Sequence, residues 1–472
     1  MPENAANVVS TTVARGLCIG CGVCAGICPR ENLVMGWNNC GTYEPSDGNK
    51  CGSGCELCLK ICPFQDREEN ENTIASRLFG SQSEIRYDSR LGYYLQSWVG
   101  YVERGDYRVS GSSGGVATWF LDKLLDSGYV DRVICVTPNA DPACLFRFGC
   151  FDNSEGVRRS SKSAYYPVEM SEVLKEVIRT NARYACIGLP CFVKALRLAG
   201  QHIPTLSKRI VINAGLVCGQ LKSRYFAEIL ARRVGLNAGS LKSVSFREKD
   251  HNRSAAELLF EASDGQKIGR LAWSEGYGET WTTGQFKIRA CMFCDDVFAE
   301  TADVVFMDAW LPRYIEDGRG TSIVVARSEQ AKRILDEGIK SGELTLSPID
   351  ISEVVASQAD VIYEKRRALA WRLWLADRAG QPRPQKRVSS SKPTIFHLWL
   401  LRAQEAVRIT SYEAIIAQRS ASVTGSEIYG QIMAYSLRRL KFLLALFKIG
   451  GDIAGLLRIA RRLKFHAKGL HS

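Results

Sequence analysis

At 472 residues with 46% hydrophobic content, the chain is long enough for two or three cores, which excludes a disordered protein and a bare small electron carrier. No window offers the eighteen or more apolar residues of a spanning helix, and the first dozen residues have neither the basic nor the apolar region of a secretory signal, so a cytoplasmic protein is expected. In that compartment 17 cysteines argue for metal ligation rather than disulfides, and the net charge of +12 implies an attraction for some acidic partner or surface.

The first element is a run of cysteines, Cys18, Cys21, Cys24 and Cys28-Pro29, echoed by Cys51, Cys55, Cys58 and Cys62-Pro63. Three thiolates at intervals of three residues can wrap one iron–sulfur cube, while the fourth, followed by proline, turns away to the other cube of a two-cluster ferredoxin. The crossed arrangement assigns Cys18, Cys21, Cys24 and Cys62 to one 4Fe–4S cluster and Cys51, Cys55, Cys58 and Cys28 to a second. One residue more than usual separates Cys51 from Cys55, and Cys40 between the halves is read as a free thiol that could substitute as a ligand. A zinc knuckle would use two pairs of ligands, whereas these eight thiols fall into two quartets, each ending Cys-Pro. Residues 1–65 therefore read as a two-cluster ferredoxin domain.

The polar, acidic stretch after Phe64 reads as a solvated exit, and residues 66–95 as a linker. From Ser97 onward, short apolar runs alternate with helical segments. Strands are expected at Ser97–Val102, Arg132–Thr137, Tyr184–Gly188, Arg209–Asn213, Asp303–Met307 and Ser322–Ala326, and helices at Val116–Ser127, Met170–Thr180 and Ser223–Val234. That alternation predicts an α/β or α+β body over 96–375. Between its first strand and helix lies Ser110-Gly-Ser-Ser-Gly-Gly115, where glycines admit close approach and free helix amides favour an anion; a flexible loop or cap is the plainer reading. Cys191, Cys218, Cys291 and Cys294 are scattered through the body. Spacing alone leaves open a third 4Fe–4S cluster, a zinc site, a redox pair or simply buried thiols. Cys135, Cys144, Cys150 and Cys186 read as structural.

The order of these motifs resembles the family of coenzyme F420 hydrogenase/dehydrogenase beta subunits, with its plastid and cyanobacterial relatives that reduce chlorophyll precursors, such as 7-hydroxymethyl chlorophyll a reductase and divinyl reductases. The resemblance is carried by the N-terminal cysteine runs, Gly100-Tyr, Ser112-Ser-Gly-Gly-Val-Ala-Thr, Ser161-Lys162, Ile187-Gly-Leu-Pro-Cys191, Gly215-Leu-Val-Cys218-Gly, Ser245-Phe-Arg-Glu-Lys249, and Cys291-Met-Phe-Cys294 through Asp303. It implies FAD in the body beside a third 4Fe–4S cluster on Cys191, Cys218, Cys291 and Cys294. It also implies cofactor contacts at Ser112, Ser113, Gly114, Gly115 and Lys162, with Arg289 and Lys287 as further basic positions. Met307-Asp308 stands where relatives usually have Gly-Asp, while Asp308 and Trp310 are kept. The implied activity is an oxidoreductase moving electrons between ferredoxin-type clusters and a hydride-accepting substrate. A coenzyme F420-dependent ferredoxin reductase and a non-catalytic electron-transfer subunit are the alternatives. A ferredoxin-type partner or a partner subunit is expected, and no residue stands out as a proton donor among only five histidines.

Residues 376–394 read as a second linker, followed by a basic helical tail over 395–472. From residue 381 to the end there are 16 Lys and Arg against 4 Asp and Glu, leaving 46 of each in the rest of the chain, so the charge surplus belongs to the tail. Segment 437–449 is apolar nearly all round, and 453–465 sorts its apolar and arginine residues to opposite sides. Such a tail suits peripheral contact with the inner membrane face, a partner subunit, or packing against its own body. No nucleic-acid motif is present.

Overall fold

A computed structural model describes residues 6–48, 51, 54–65, 69–421 and 425–446. Two short helices, Val23–Gly26 and Leu57–Lys60, lie within the two cysteine runs and carry Cys24 and Cys58, and β1 (Leu33–Trp37) pairs antiparallel with β2 (Tyr43–Asp47) between them. Gly22 precedes the first helix at φ +76°, and a side chain there would meet Glu169 Oε2 at 2.3 Å and the Met170 amide at 3.0 Å. Only glycine accommodates both the backbone and the close approach. The Met170 amide donates to the Cys21 carbonyl at 3.0 Å, so the N-terminal unit is seated directly on the body.

The stretch expected as a linker over 66–95 carries more structure than that. The helix Glu71–Phe79 is closed by a capping box at Asn70, and β3 (Arg86–Asp88) pairs with β4 (Gly92–Tyr94). Ile74 and Phe79 are buried, so this segment is a packed connection rather than a free one.

The body is built on one mixed sheet of eight strands. They are β5 (Gln96–Val102), β6 (Arg132–Pro138), β7 (Phe146–Phe151), β8 (Tyr184–Gly188), β9 (Ile210–Leu216), β13 (Val304–Asp308), β14 (Ser322–Ala326) and β15 (Leu344–Pro348). Their order is β15-β5-β14-β13-β9-β8-β6-β7. The inner run β13-β9-β8-β6 is parallel, and antiparallel pairs flank it on both sides. Residues of one strand alternate between cores: Val304 and Phe306 face one, Val305 and Met307 the other. Every strand and helix expected in the body is present within three residues. A second sheet, β10 (Ser243–Glu248), β11 (Leu259–Ser263) and β12 (Ile268–Ala272), was not foreseen, because its strands are short and half polar.

The helix Ile395–Ser420 and the helical stretch 427–446 pack on the body. Leu400, Val407, Ile415, Tyr429 and Met433 share a core with Phe246 and Phe260 of the second sheet. The expected linker 376–394 is likewise a strap: the side chains of Lys386 and Arg387 are 5% and 7% exposed and pair with carboxylates of the body. The amphipathic segment 453–465 lies outside the described residues. Among the described residues no helix is long and apolar enough to cross a membrane.

Candidate iron–sulfur and cofactor site

Cys18, Cys21, Cys24 and Cys62 line one cavity, walled by Leu17, Ile61 and Phe64. Cys28, Cys51, Cys55 and Cys58 line a second, and Cys24 borders both. Cys62 thus joins the first run and Cys28 the second, the crossing expected from the Cys-Pro endings. Backbone amides point at sulfur in both sites, Gly20 to Cys18 and Asn32 to Cys28, each at 3.4 Å. Cys40 is exposed at the turn between β1 and β2, where its amide donates to Asn38.

The four scattered cysteines also converge. Cys191 lies in the first turn of the helix Pro190–His202 beyond β8, and Cys218 lies just past β9. These are carboxyl ends of neighbouring parallel strands, where side chains from separate connections meet over a sheet. Cys291 and Cys294 come from the turn at Arg289–Phe293, and Cys191 lies within electrostatic reach of Cys294, Cys218 and Cys291. The same thiol senses Cys21 of the first quartet, so the third quartet adjoins the first.

Burial pushes these thiols up: Cys21 and Cys218 to about 12, and Cys191 well above its ordinary value, with neighbouring cysteines adding to the rise in Cys191. A quartet of buried thiols becomes a quartet of thiolates only with a compensating positive charge, which iron supplies. Among the described residues no group of three or more His, Cys, Asp or Glu closes on a single ion, and the two N-terminal quartets border cavities instead. An all-thiol donor set around such spaces fits 4Fe–4S clusters.

The loop before the helix Val116–Asp126 is pinned to the sheet. Ser113 Oγ donates to Thr321 O at 2.7 Å, the Gly114 amide donates to Ser322 Oγ at 2.9 Å, and the Ser163 amide donates to Ser112 Oγ at 2.7 Å. Gly115 holds φ +81°, and a side chain there would meet Tyr107 O at 2.4 Å and the Arg108 amide at 2.7 Å. Gly115→Ala is therefore expected to destabilise the protein by about 1–3 kcal/mol, read as a lowered urea midpoint. An unchanged midpoint would mean that the loop yields without strain.

Basic side chains crowd around this loop. Lys249 Nζ donates to the carbonyls of Arg108, of Ser113 at 2.7 Å and of Arg319 at 2.6 Å. Burial, and then the charges of Arg247 and Arg108, push its amine down to about 7. Arg247 grips Asp308 in a two-pronged pair at 2.7 and 2.9 Å and lies over the Trp310 ring. Lys162 pairs with Glu248 and holds a left-handed backbone at φ +81°, which a lysine adopts only under constraint. Lys162, Arg247 and Lys249 thus gather three cations beside the loop, a local excess of positive side chains that a dinucleotide's diphosphate would suit. Arg289 is elsewhere: its guanidinium donates to Arg15 O and flanks Phe293, between the N-terminal unit and the third quartet. Lys287 pairs in a backbone bridge with Lys222, beside Cys291.

Aromatic packing links the basic pocket to the third quartet. Tyr165, next to Arg247, has its ring centre 4.4 Å from that of Trp281; Lys222 lies 5.0 Å over the Trp281 ring, and the Leu221 amide donates to Cys291 Sγ at 3.2 Å. The roles of Arg247 and Lys249 were not assigned from the sequence, although both lie in the Ser245–Lys249 run. The signal was a pair of cations flanking Glu248 at the end of a strand.

Two family models match, described as the N-terminal part and the C terminus of the coenzyme F420 hydrogenase/dehydrogenase beta subunit; they cover residues 97–175 and 181–352 respectively. The F subunit of the F(420)H(2) dehydrogenase from Methanosarcina mazei is 25% identical over 228 residues, which is 46% of this chain and 56% of that protein. The coenzyme F420-dependent sulfite reductase of Methanocaldococcus jannaschii is 24% identical over 357 residues, 70% of this chain and 48% of that protein. The chain spans about half the length of these curated relatives. A chain in the xenon-derivatised F420-reducing [NiFe] hydrogenase complex from Methanosarcina barkeri aligns at TM-score 0.48 and 16% identity, covering 65% of this chain and 99% of that one.

Proposed function

The chain belongs to the family of coenzyme F420 hydrogenase/dehydrogenase beta subunits, and from that premise we propose that it is an iron–sulfur flavoprotein oxidoreductase passing electrons between three 4Fe–4S clusters and a hydride carrier through FAD. The observation that carries this reading is the grouping of twelve thiols into three adjoining quartets, with Cys24 bordering both N-terminal cavities and Cys191 within reach of Cys21. FAD, when bound, exchanges hydride on one side and single electrons on the other. Within the chain, Cys191, Cys218, Cys291 and Cys294 would hold the central cluster, and the two N-terminal quartets would continue the path toward a redox partner.

Lys162, Arg247 and Lys249 would hold the cofactor's diphosphate, with the Ser112–Gly115 loop shaping the floor beneath it. The Asp308 carboxylate fixes Arg247 in place, and the packed rings of Tyr165 and Trp281 would stand between that place and the third quartet. The names of both curated relatives specify F420, which makes a reduced deazaflavin the proposed hydride donor and a ferredoxin-type protein or partner subunit the proposed acceptor. One relative is named as a subunit, so a role within a larger assembly is the second reading, in which a partner supplies the substrate site.

The test is the content of iron, acid-labile sulfide and released flavin in protein purified without oxygen. About twelve irons and one FAD per chain are expected. About eight irons and no flavin in fully loaded protein would sink this reading.

A further inference from the structure

Lys365 is a buried cation that points at a sulfur rather than at a carboxylate. It is 4% exposed, and its Nζ lies 3.2 Å from Cys294 Sγ and 2.6 Å from Asp296 O. It comes from the π-helical turn Tyr363–Ala368, beyond residue 352 where the family models end. Wide turns of this kind re-aim a side chain out of the regular helical spacing.

Both neighbours of Lys365 are tied down. Glu364 accepts from Arg372 Nη2 at 2.5 Å, and Arg366 Nη2 donates to Glu300 Oε1 at 3.0 Å. The next helix, Leu369–Arg378, packs on the Arg289–Phe293 turn that carries Cys291. The buried ammonium is thus aimed from a turn anchored on both sides.

Reduction adds negative charge to an iron–sulfur cluster, and hydrogen bonds to its sulfurs, like nearby positive charge, favour the reduced form. We infer that Lys365 is a positioning residue that raises the reduction potential of the central cluster through a charged hydrogen bond to Cys294 Sγ. This rests on the proposed ligation by Cys191, Cys218, Cys291 and Cys294. It makes the central cluster an electron acceptor set by a segment outside the shared family region.

The experiment uses the full chain with its clusters, titrated reductively and followed by electron paramagnetic resonance, with Cys294→Ser identifying the central cluster's signal. In Lys365→Met the central reduction equilibrium is expected to shift at least ten-fold toward the oxidised form, about 59 mV for one electron. The two N-terminal signals should stay in place, and Lys365→Arg should hold the central midpoint near that of the unmodified protein. An unshifted central midpoint in Lys365→Met overturns the inference while leaving the ligand assignment standing. If Lys365→Met loses the central iron, Lys365→Gln is titrated instead: a lowered midpoint supports the role and an unchanged one overturns it. Loss of that iron from the Met and Gln variants but not from Lys365→Arg supports a need for the charge, whereas loss from all three assigns Lys365 to structure alone. A missing central signal in the unmodified protein would overturn both the inference and the ligation beneath it.

Discussion

Cys291→Ala is expected to lower the iron content from about twelve to about eight per chain, with acid-labile sulfide falling in proportion. The central quartet would retain three thiolates, and Cys291 is buried, with the Leu221 amide directed at its sulfur, so water cannot simply take its place. The N-terminal quartets line separate cavities and should keep their eight irons and their spectra. Flavin released from the variant distinguishes local from general damage: retained flavin with four irons missing places the loss at the central site. A variant that keeps all its iron would remove Cys291 from the ligand set.

The second large effect concerns the strap. Arg387 reaches Glu300 at 2.7 and 2.9 Å, Asp295 at 3.3 Å and Glu71 at 3.5 Å, and each of these side chains is at most 7% exposed. Burial, and then the charges of Glu300 and Glu71, push the neighbouring Asp296 carboxyl up to about 7. Arg387→Met would take one cation from each of three buried carboxylates, which keep Lys194, Lys386 and Arg366. The cost is therefore expected toward the lower end of the about 3–5 kcal/mol of breaking a buried pair from one side. The urea midpoint of the full chain should fall accordingly.

The pH dependence has a definite sign. Burial raises the Glu71 and Asp295 carboxyls, but Lys194, Lys386 and Arg387 outweigh it and hold both below their ordinary values. Groups depressed on folding contribute stability that is present above the unfolded-state values, about 4, and is lost as pH falls through the folded ones. The gap between Arg387→Met and the unmodified protein should therefore be full at neutral pH and narrow in acid. A gap independent of pH would place the cost in packing instead.

How far the residues alone carried depended on the range of the chemistry. Intervals of three residues put Cys18, Cys21 and Cys24 on one side of a tight turn, and Cys-Pro ends it, so the two N-terminal quartets were legible as spacing. Apolar runs such as Ser322–Ala326 likewise declared buried strands, because a strand covered on both faces needs little else. The Ser112–Gly115 loop was legible as a place of close approach, although its contacts run to Thr321 and Ser322, at the start of a strand 208 residues later.

The segments 66–95 and 376–394 were misread as linkers for one reason. Polarity there serves burial with partners rather than solvation: Glu71 meets Lys194, and Lys386 and Arg387 meet Asp295 and Glu300. A charged residue bound for a buried pair is indistinguishable in sequence from one bound for water.

By itself, then, the sequence determined the cluster chemistry expected of the N-terminal unit and the α/β character of the body, since both follow from local periodicity. Tertiary structure decided the rest. The order β8-β9-β13 brings Cys191 and Cys218 to adjoining strand ends, the turn at Arg289–Phe293 brings Cys291 and Cys294 to meet them, and a π-turn far along the chain aims Lys365 at one of their sulfurs. Convergence of that kind depends on strand order and on which faces are buried, quantities that no window of neighbouring residues contains.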